Sequence, residues 1–148
     1  MYRLSGWHEH TIDDKGRTSI PSAFREKLRS HDDKTVYVTR AITGSCLDVY
    51  PASVWERILD EVGKRQQSDP AVITFRRGFI SAAVEAEPDK AGRIMLPQRL
   101  RERVGLTKDI VISGNIDKME IWDRALFERT QEETDDETLL AAAREFGF

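Results

Sequence analysis

A single cysteine, Cys46, excludes an intrachain disulfide, so the chain holds together without a covalent staple. That usage fits a reducing compartment. Histidine is scarce, with three residues in 148. His8 and His10 sit two apart, on one face of any strand they share, but no third ligand stands near them, and a metal site needs three or four. No apolar run approaches the roughly 20 residues needed to cross a bilayer. The stretch Met1–Trp7 has no apolar segment long enough for a secretory signal. There is no glycine-rich phosphate loop, and no nucleophile–base pair stands out among the polar residues. An excess of positive charge is also missing: 23 Lys and Arg face 26 Asp and Glu, a net charge of -3. The whole molecule therefore lacks the overall charge of a non-specific polyanion binder, and any such role must rest on local charge.

What the chain does have is a repeat. Asp13-Asp14-Lys15-Gly16-Arg17-Thr18-Ser19-Ile20-Pro21 returns as Asp89-Lys90-Ala91-Gly92-Arg93-Ile94-Met95-Leu96-Pro97. Arg25-Glu26-Lys27-Leu28 returns at the same offset as Arg101-Glu102-Arg103-Val104. Leu47-Asp48-Val49-Tyr50 matches Met119-Glu120-Ile121-Trp122 at a slightly smaller offset, which assigns the first half a longer middle loop. One unit of structure is used twice, and it must be read as such before anything else.

Within each unit the local signals agree. Trp7–Ile12 reads as a strand, Asp13–Gly16 as a turn, and Arg17–Ile20 as its returning partner strand. Pro21 suits the first turn of a helix whose Phe24 and Leu28 share one face. Thr35–Thr39 and Leu47–Tyr50 read as strands. Val54, Trp55, Ile58, Leu59 and Val62 recur at helical spacing after Pro51. Asp69-Pro70 opens a further helix over residues 71–80. The second unit repeats the order: a strand over 81–87, a turn, a strand over 93–96, a helix over 97–104, then two strands about a Gly114-Asn115 turn. Residues 130–137 are strongly acidic, and residues 139–148 form a helix or a frayed end. The fold class is α+β, two similar hairpin-rich units with short helices that pack together. Its parts are a first unit over 5–51, a helical connection over 52–80, a second unit over 81–124 and a tail over 125–148.

The repeated turn carries two readings. In the first, each Asp caps its bend and holds its own Arg, an exposed ion pair worth about 0–1 kcal/mol. In the second, the turns project Lys15, Arg17, Lys90 and Arg93 toward a polyanion while Asp13 and Asp89 fix the bends. Arginine suits that task because its planar fork can grip a phosphate, or the O6/N7 edge of guanine, with two hydrogen bonds. The following helices add Arg25, Lys27 and Arg29 in one half and Arg99, Arg101 and Arg103 in the other.

An Asp-x-x-Gly-Arg motif followed by an aliphatic residue and Pro, present twice, resembles the MraZ family, built of two tandem SpoVT/AbrB-like swapped-hairpin domains, and the resemblance implies that the two units are intertwined. The resemblance extends to Cys46-Leu47-Asp48-Val49-Tyr50-Pro51 with Trp55, and to Gly105-Leu106-Thr107-Lys108 with Met119–Asp123. It implies a transcriptional regulator rather than an enzyme, with no cofactor, metal, membrane or small-molecule substrate. It implies binding of double-stranded DNA at repeated promoter elements of the division and cell-wall gene cluster. It also implies a ring-shaped homo-oligomer in the cytoplasm, associated with the nucleoid. Carried over, the DNA-facing residues are Asp13, Lys15 and Arg17 in one turn and Asp89, Lys90 and Arg93 in the other. Ala91 stands where the first turn has Lys15, so the first turn is expected to contribute more to affinity. An antitoxin-like module that wraps a protein partner is the alternative within the same architecture.

Overall fold

The computed structural model describes all of residues 1–148. Its eight strands form two sheets, both antiparallel. Six of them, β1 (Trp7–Thr11), β3 (Val36–Arg40), β4 (Leu47–Pro51), β5 (Val84–Ala86), β7 (Asp109–Asn115) and β8 (Lys118–Asp123), make one sheet in the order β1-β7-β8-β4-β3-β5. The other two, β2 (Arg17–Ser19) and β6 (Arg93–Met95), pair only with each other.

This order interlaces the halves. β1, from the first unit, pairs with β7 of the second, Trp7 opposite Ser113 and Thr11 opposite Asp109. β5, from the second unit, pairs with β3 of the first. β4 and β8 meet at the centre, Leu47 opposite Ile121 and Asp48 opposite Glu120. The expected pairing of Arg17–Ile20 back onto Trp7–Ile12 does not occur. The chain bends at Asp13–Gly16, where the Asp13 amide donates to the Arg17 carbonyl at 2.9 Å, and then the two strands diverge to partners in the other half. The reason is burial. Ile12, Thr18 and Ile20 are all buried, and the strands that pair with β1 and β2 belong to the second unit.

Three of the four strand-to-helix junctions are made by a proline, and the fourth, from β8 (Lys118–Asp123) to Arg124, by Asp123. Pro21, Pro51 and Pro97 precede α1 (Ser22–Ser30), α2 (Ala52–Gly63) and α4 (Gln98–Arg103) as N-cap residues, all with φ between -51 and -59 and ψ near 140. The Pro21 carbonyl accepts the first helical bonds, from Phe24 and Arg25, at 2.9 and 3.0 Å. Proline contributes its fixed φ here and loses nothing by lacking an N–H. Phe24 and Leu28 of α1, Leu100 of α4, and Val54 and Trp55 of α2 are buried against the sheets. The helix expected over 71–80 is α-helical only in α3 (Pro70–Phe75) and widens to a π turn over Arg76–Ile80. There the Thr39 hydroxyl donates to the Phe79 carbonyl at 2.8 Å and Arg40 Nε to the Gly78 carbonyl at 2.9 Å. These side-chain donors satisfy carbonyls on the widened turn and tie the connection to β3.

The two middle loops differ in length as the repeat offsets require. Residues 41–46 join β3 to β4, while Ile116 and Asp117 alone join β7 to β8. Gly114 and Asn115 are therefore strand residues, not the turn. Glycine is needed at 114 for a different reason: a Cβ there would lie 2.6 Å from the Ser5 amide nitrogen. The acidic segment ends in two helices, α5 (Arg124–Glu133) and α6 (Asp136–Arg144). Phe127 anchors α5, whereas α6 buries no residue. No helix is long and apolar enough to cross a membrane.

At the sheet centre Asp48 is 1% exposed and faces Glu120 across the β4–β8 pair. Lys118 Nζ sits 3.0 and 3.1 Å from the two Asp48 oxygens and 3.6 Å from Glu120. The Tyr50 hydroxyl donates to Asp48 Oδ2 at 2.9 Å. Burial pushes the Asp48 carboxyl up, and Lys118 opposes that push. Lys118→Met should destabilise the fold by about 3–5 kcal/mol, the scale of a buried charge left unpaired. Only ionised Asp48 needs the ammonium, so the loss should be larger at about pH 8 than at about pH 5. Asp48→Leu added to Lys118→Met should recover most of it in urea titrations.

Candidate nucleic-acid interface

The two Asp–Arg turns are superimposable in their bonding. In the first, Asp13 Oδ1 accepts from the amides of Lys15 and Arg17, each at 2.9 Å, and Oδ2 accepts from Arg17 Nε at 2.9 Å. In the second, Asp89 Oδ1 accepts from Ala91 and Arg93, and Oδ2 from Arg93 Nε, all at 2.9 Å. Gly16 and Gly92 close the bends with φ of 85 and 77, and their amides donate to the Asp13 and Asp89 carbonyls at 2.9 Å. The amide bonds to each carboxylate, led by that from the arginine two residues beyond the bend's centre, hold both Asp carboxyls below the usual range. The turns therefore stay charged and intact down to the normal carboxylate pKa and loosen only below it.

The geometry meets the capping reading in full and leaves the arginines able to serve the other. The carboxylate takes Nε, the rear edge of each guanidinium, and leaves both terminal nitrogens for another partner. Arg17 and Arg93 are 30% and 39% exposed at the side chain.

The strands following the turns bring the two arginines together. β2 and β6 pair with Arg17 opposite Met95, Thr18 opposite Ile94, and Ser19 opposite Arg93. Thr18 and Ile94 are each 2% exposed and point into the protein. The alternation of a strand then puts Arg17, Ser19, Arg93 and Met95 on one outward face. That face is a two-stranded ribbon with an arginine at each diagonal. Asp13, Lys15, Asp89 and Lys90 are exposed at its two ends.

The charge balance of the turns differs from the expectation. Asp14 offsets Lys15 in the first turn, which carries two acids and two bases, whereas Lys90 replaces Asp14 in the second, which carries one acid and two bases. The second turn is the more basic of the two.

The helical arginines divide into separate groups. Arg29 pairs with Glu26, and Arg99 Nη1 donates to the Ala82 carbonyl at 3.2 Å. Arg25 and Arg101 are half-buried and lie behind the turns rather than on the outer surface. A Cβ at Gly16 would be 2.9 Å from Arg101 Nη2, and a Cβ at Gly92 would be 2.6 Å from Arg25 Nη1. Sequence reasoning grouped these two with the surface cations. Their recurrence at the motif's own offset was the available sign that they belong to the turns.

The other candidates lie elsewhere. His8 and His10 are half-buried on the inner face of β1, His8 with its ring edge-on to Phe24 at 5.3 Å. Burial, with help from His8 and Arg25, lowers the His10 pKa. Cys46 is fully buried, as a small core residue should be, and burial pushes its thiol well up. Its sulfur lies within 4.8 Å of carboxylate oxygens of Asp48 and Glu120, the group that Lys118 already serves as a cation.

Gly44 and Gly92 share a φ of 77, but a Cβ at Gly44 would meet nothing within 4 Å. Gly44→Ala should therefore cost about 1–2 kcal/mol, the backbone penalty alone. Gly92→Ala should cost more, because Arg25 must also move. Equal shifts of the urea midpoint would show that the arginine packing adds nothing.

The family model described as "MraZ protein, putative antitoxin-like" matches residues 4–77 and again residues 79–148. Among curated relatives, a protein from Syntrophobacter fumaroxidans is 40% identical over 119 residues, covering 80% of this chain and 78% of its own length. One from Acidithiobacillus ferrooxidans is 37% identical over 136 residues, 89% of each chain. One from Lachnoclostridium phytofermentans is 37% identical over 143 residues, 97% of this chain and 96% of its own. Each of the three is named Transcriptional regulator MraZ. With both halves matched and the ribbon built from both copies of the motif, the chain belongs to the MraZ family.

Proposed function

We propose that the protein is a sequence-specific, double-stranded-DNA-binding transcriptional regulator that reads DNA with the β2–β6 ribbon. The observation that carries this is the pair of arginines on one outward face, each fixed through Nε by a carboxylate that is itself fixed by two backbone amides. A two-stranded ribbon fits the major groove of B-form DNA. Two terminal guanidinium nitrogens can then meet guanine O6 and N7. Asp13 and Asp89 set the aim of these forks, while Lys15 and Lys90 sit at the ends where phosphates would pass. The relatives' shared name, Transcriptional regulator MraZ, supports the same reading. No step of covalent chemistry is involved, and no cofactor or metal is required.

In this reading residues 5–51 and 81–124 each supply one arginine turn, residues 52–80 brace the sheet, and residues 125–148 lie outside the DNA contact. One subunit presents a single ribbon, a small footprint for specific binding. A homo-oligomeric ring would hold several ribbons at fixed spacing, and repeated promoter elements at that spacing would be bound with avidity. Those elements would be in the promoter of the division and cell-wall gene cluster, the chain's own gene included, and the protein would then act in the cytoplasm at the nucleoid.

Selection from a random duplex pool should recover spaced direct repeats. On the recovered duplex, Arg17→Ala and Arg93→Ala should each lower affinity at least tenfold, the scale of one lost bidentate base contact of about 1–3 kcal/mol. Log affinity should fall linearly with log salt, at about 0.9 per phosphate neutralised. Recovery of unrelated fragments together with a flat salt response would instead direct attention to a protein partner of the antitoxin-like kind.

A further inference from the structure

We infer that Arg25 and Arg101 are reciprocal positioning residues: each, from the helix of one half, braces the DNA-reading turn of the other half. The inference rests on the DNA-binding reading above for its functional consequence, but its structural content stands apart from it. Arg101, on α4 of the second unit, lies against Gly16 of the first; Arg25, on α1 of the first, lies against Gly92 of the second. The two contacts are related by the repeat, since Arg25 and Arg101 are equivalent, as are Gly16 and Gly92.

The brace is directional. Arg101 Nε donates to the Leu96 carbonyl at 2.9 Å, and the Leu96 amide donates to the Gly16 carbonyl at 2.9 Å. The guanidinium is thus fixed to the end of β6 while it lies under the first turn, one residue before Arg17. In the other half the Ile20 amide donates to the Gly92 carbonyl at 2.8 Å, but Arg25 Nε is buried without a hydrogen-bond partner. The Arg101 brace is therefore the better satisfied of the two. Neither glycine could carry a side chain without moving its arginine, so the bare backbone at the bend and the planar group behind it form one fitted unit. A lysine could keep the charge, but it has no Nε–H with which to hold Leu96 and no flat group to lie against the glycine.

The test uses the full chain, with a fluorescein-labelled duplex recovered by the selection described above. Arg101→Lys should lower affinity about three- to tenfold, with the salt slope unchanged. It should add nothing in an Arg17→Ala background, yet keep its full effect in an Arg93→Ala background. Arg25→Lys should show the mirror pattern, with a smaller loss. Hydrogen-exchange mass spectrometry, without DNA, should show faster exchange at residues 12–18 in Arg101→Lys and at residues 88–94 in Arg25→Lys, each leaving the other turn as in the unmodified protein.

Full affinity and unchanged exchange in Arg101→Lys would overturn the inference, because charge alone would then suffice. In Arg101→Gln, which removes the charge, a salt slope reduced by about 0.9 would overturn it by making Arg101 a phosphate contact, and additive losses of Arg101→Lys with Arg17→Ala would remove the link through the turn. If no duplex is bound even by the unmodified protein, the DNA reading fails, and the exchange measurement still decides whether each arginine braces the opposite turn.

Discussion

The pairing of β2 with β6 is the constraint from which the rest of the structure follows. Each strand has three residues, and neither pairs with a strand of its own half. A ribbon that short has too little hydrogen bonding to stand alone. It is held because Thr18 and Ile94 are buried beneath it and because the turn before each strand is locked by an Asp and seated on an arginine from the other half. Interlacing is what supplies both. Had β2 folded back on β1, each half would own a separate hairpin with its arginine on its own surface. Crossing over instead merges two single-arginine turns into one two-arginine face.

The aspartate in each turn carries several duties with one group. Its backbone and Oδ1 define the bend, and its Oδ2 fixes the rotation of the arginine's rear edge. Such an exposed pair adds little to stability. For the proposed DNA contact its value would be in restricting the guanidinium beforehand, which reduces the ordering that binding must impose. A net charge of -3 is compatible with this arrangement. The acids of the C-terminal segment and those that lock the turns lower the sum without occupying the ribbon's outer face.

Much of this was legible in the sequence, and the part that was not has a definable cause. The repeat gave the doubled unit, its turns and even the difference in loop length, because Asp, Gly and Pro act locally and leave fixed spacings. Strand partners were another matter. Arg17–Ile20 follows Trp7–Ile12 through a tight bend, and local rules favour a hairpin there; only the burial demands of Ile12, Thr18 and Ile20 against the other unit send the strands apart. The π turn at Arg76–Ile80 was hidden for a similar reason, since it depends on donors from Thr39 and Arg40 far back in the chain. Gly114 read as a turn, yet what it serves is the passage of Ser5. Arg25 and Arg101 looked like two more surface cations, because a side chain's direction is set by which helix face the fold buries. The candidate arginines Arg17 and Arg93 could be named from the motif, but their union on one face belongs to the register of β2 against β6.

The seam between β4 and β8 shows what two units in one chain permit. Asp48 and Glu120 are equivalent positions that oppose each other directly. Cys46 and Lys118 are likewise equivalent, each two residues before its acid, and so they flank that pair on opposite strands. Like charges opposite one another in a sheet repel. In a dimer of identical subunits the two-fold axis would force the same residue at both flanking positions: two lysines would overfill the space around Asp48, and two cysteines would leave both acids without a cation. With both units in one chain, position 46 can be a small buried thiol and position 118 a lysine that reaches both carboxylates. The asymmetry settles the charge at the centre of the sheet, and that centre holds the two halves in the register on which the arginine ribbon depends.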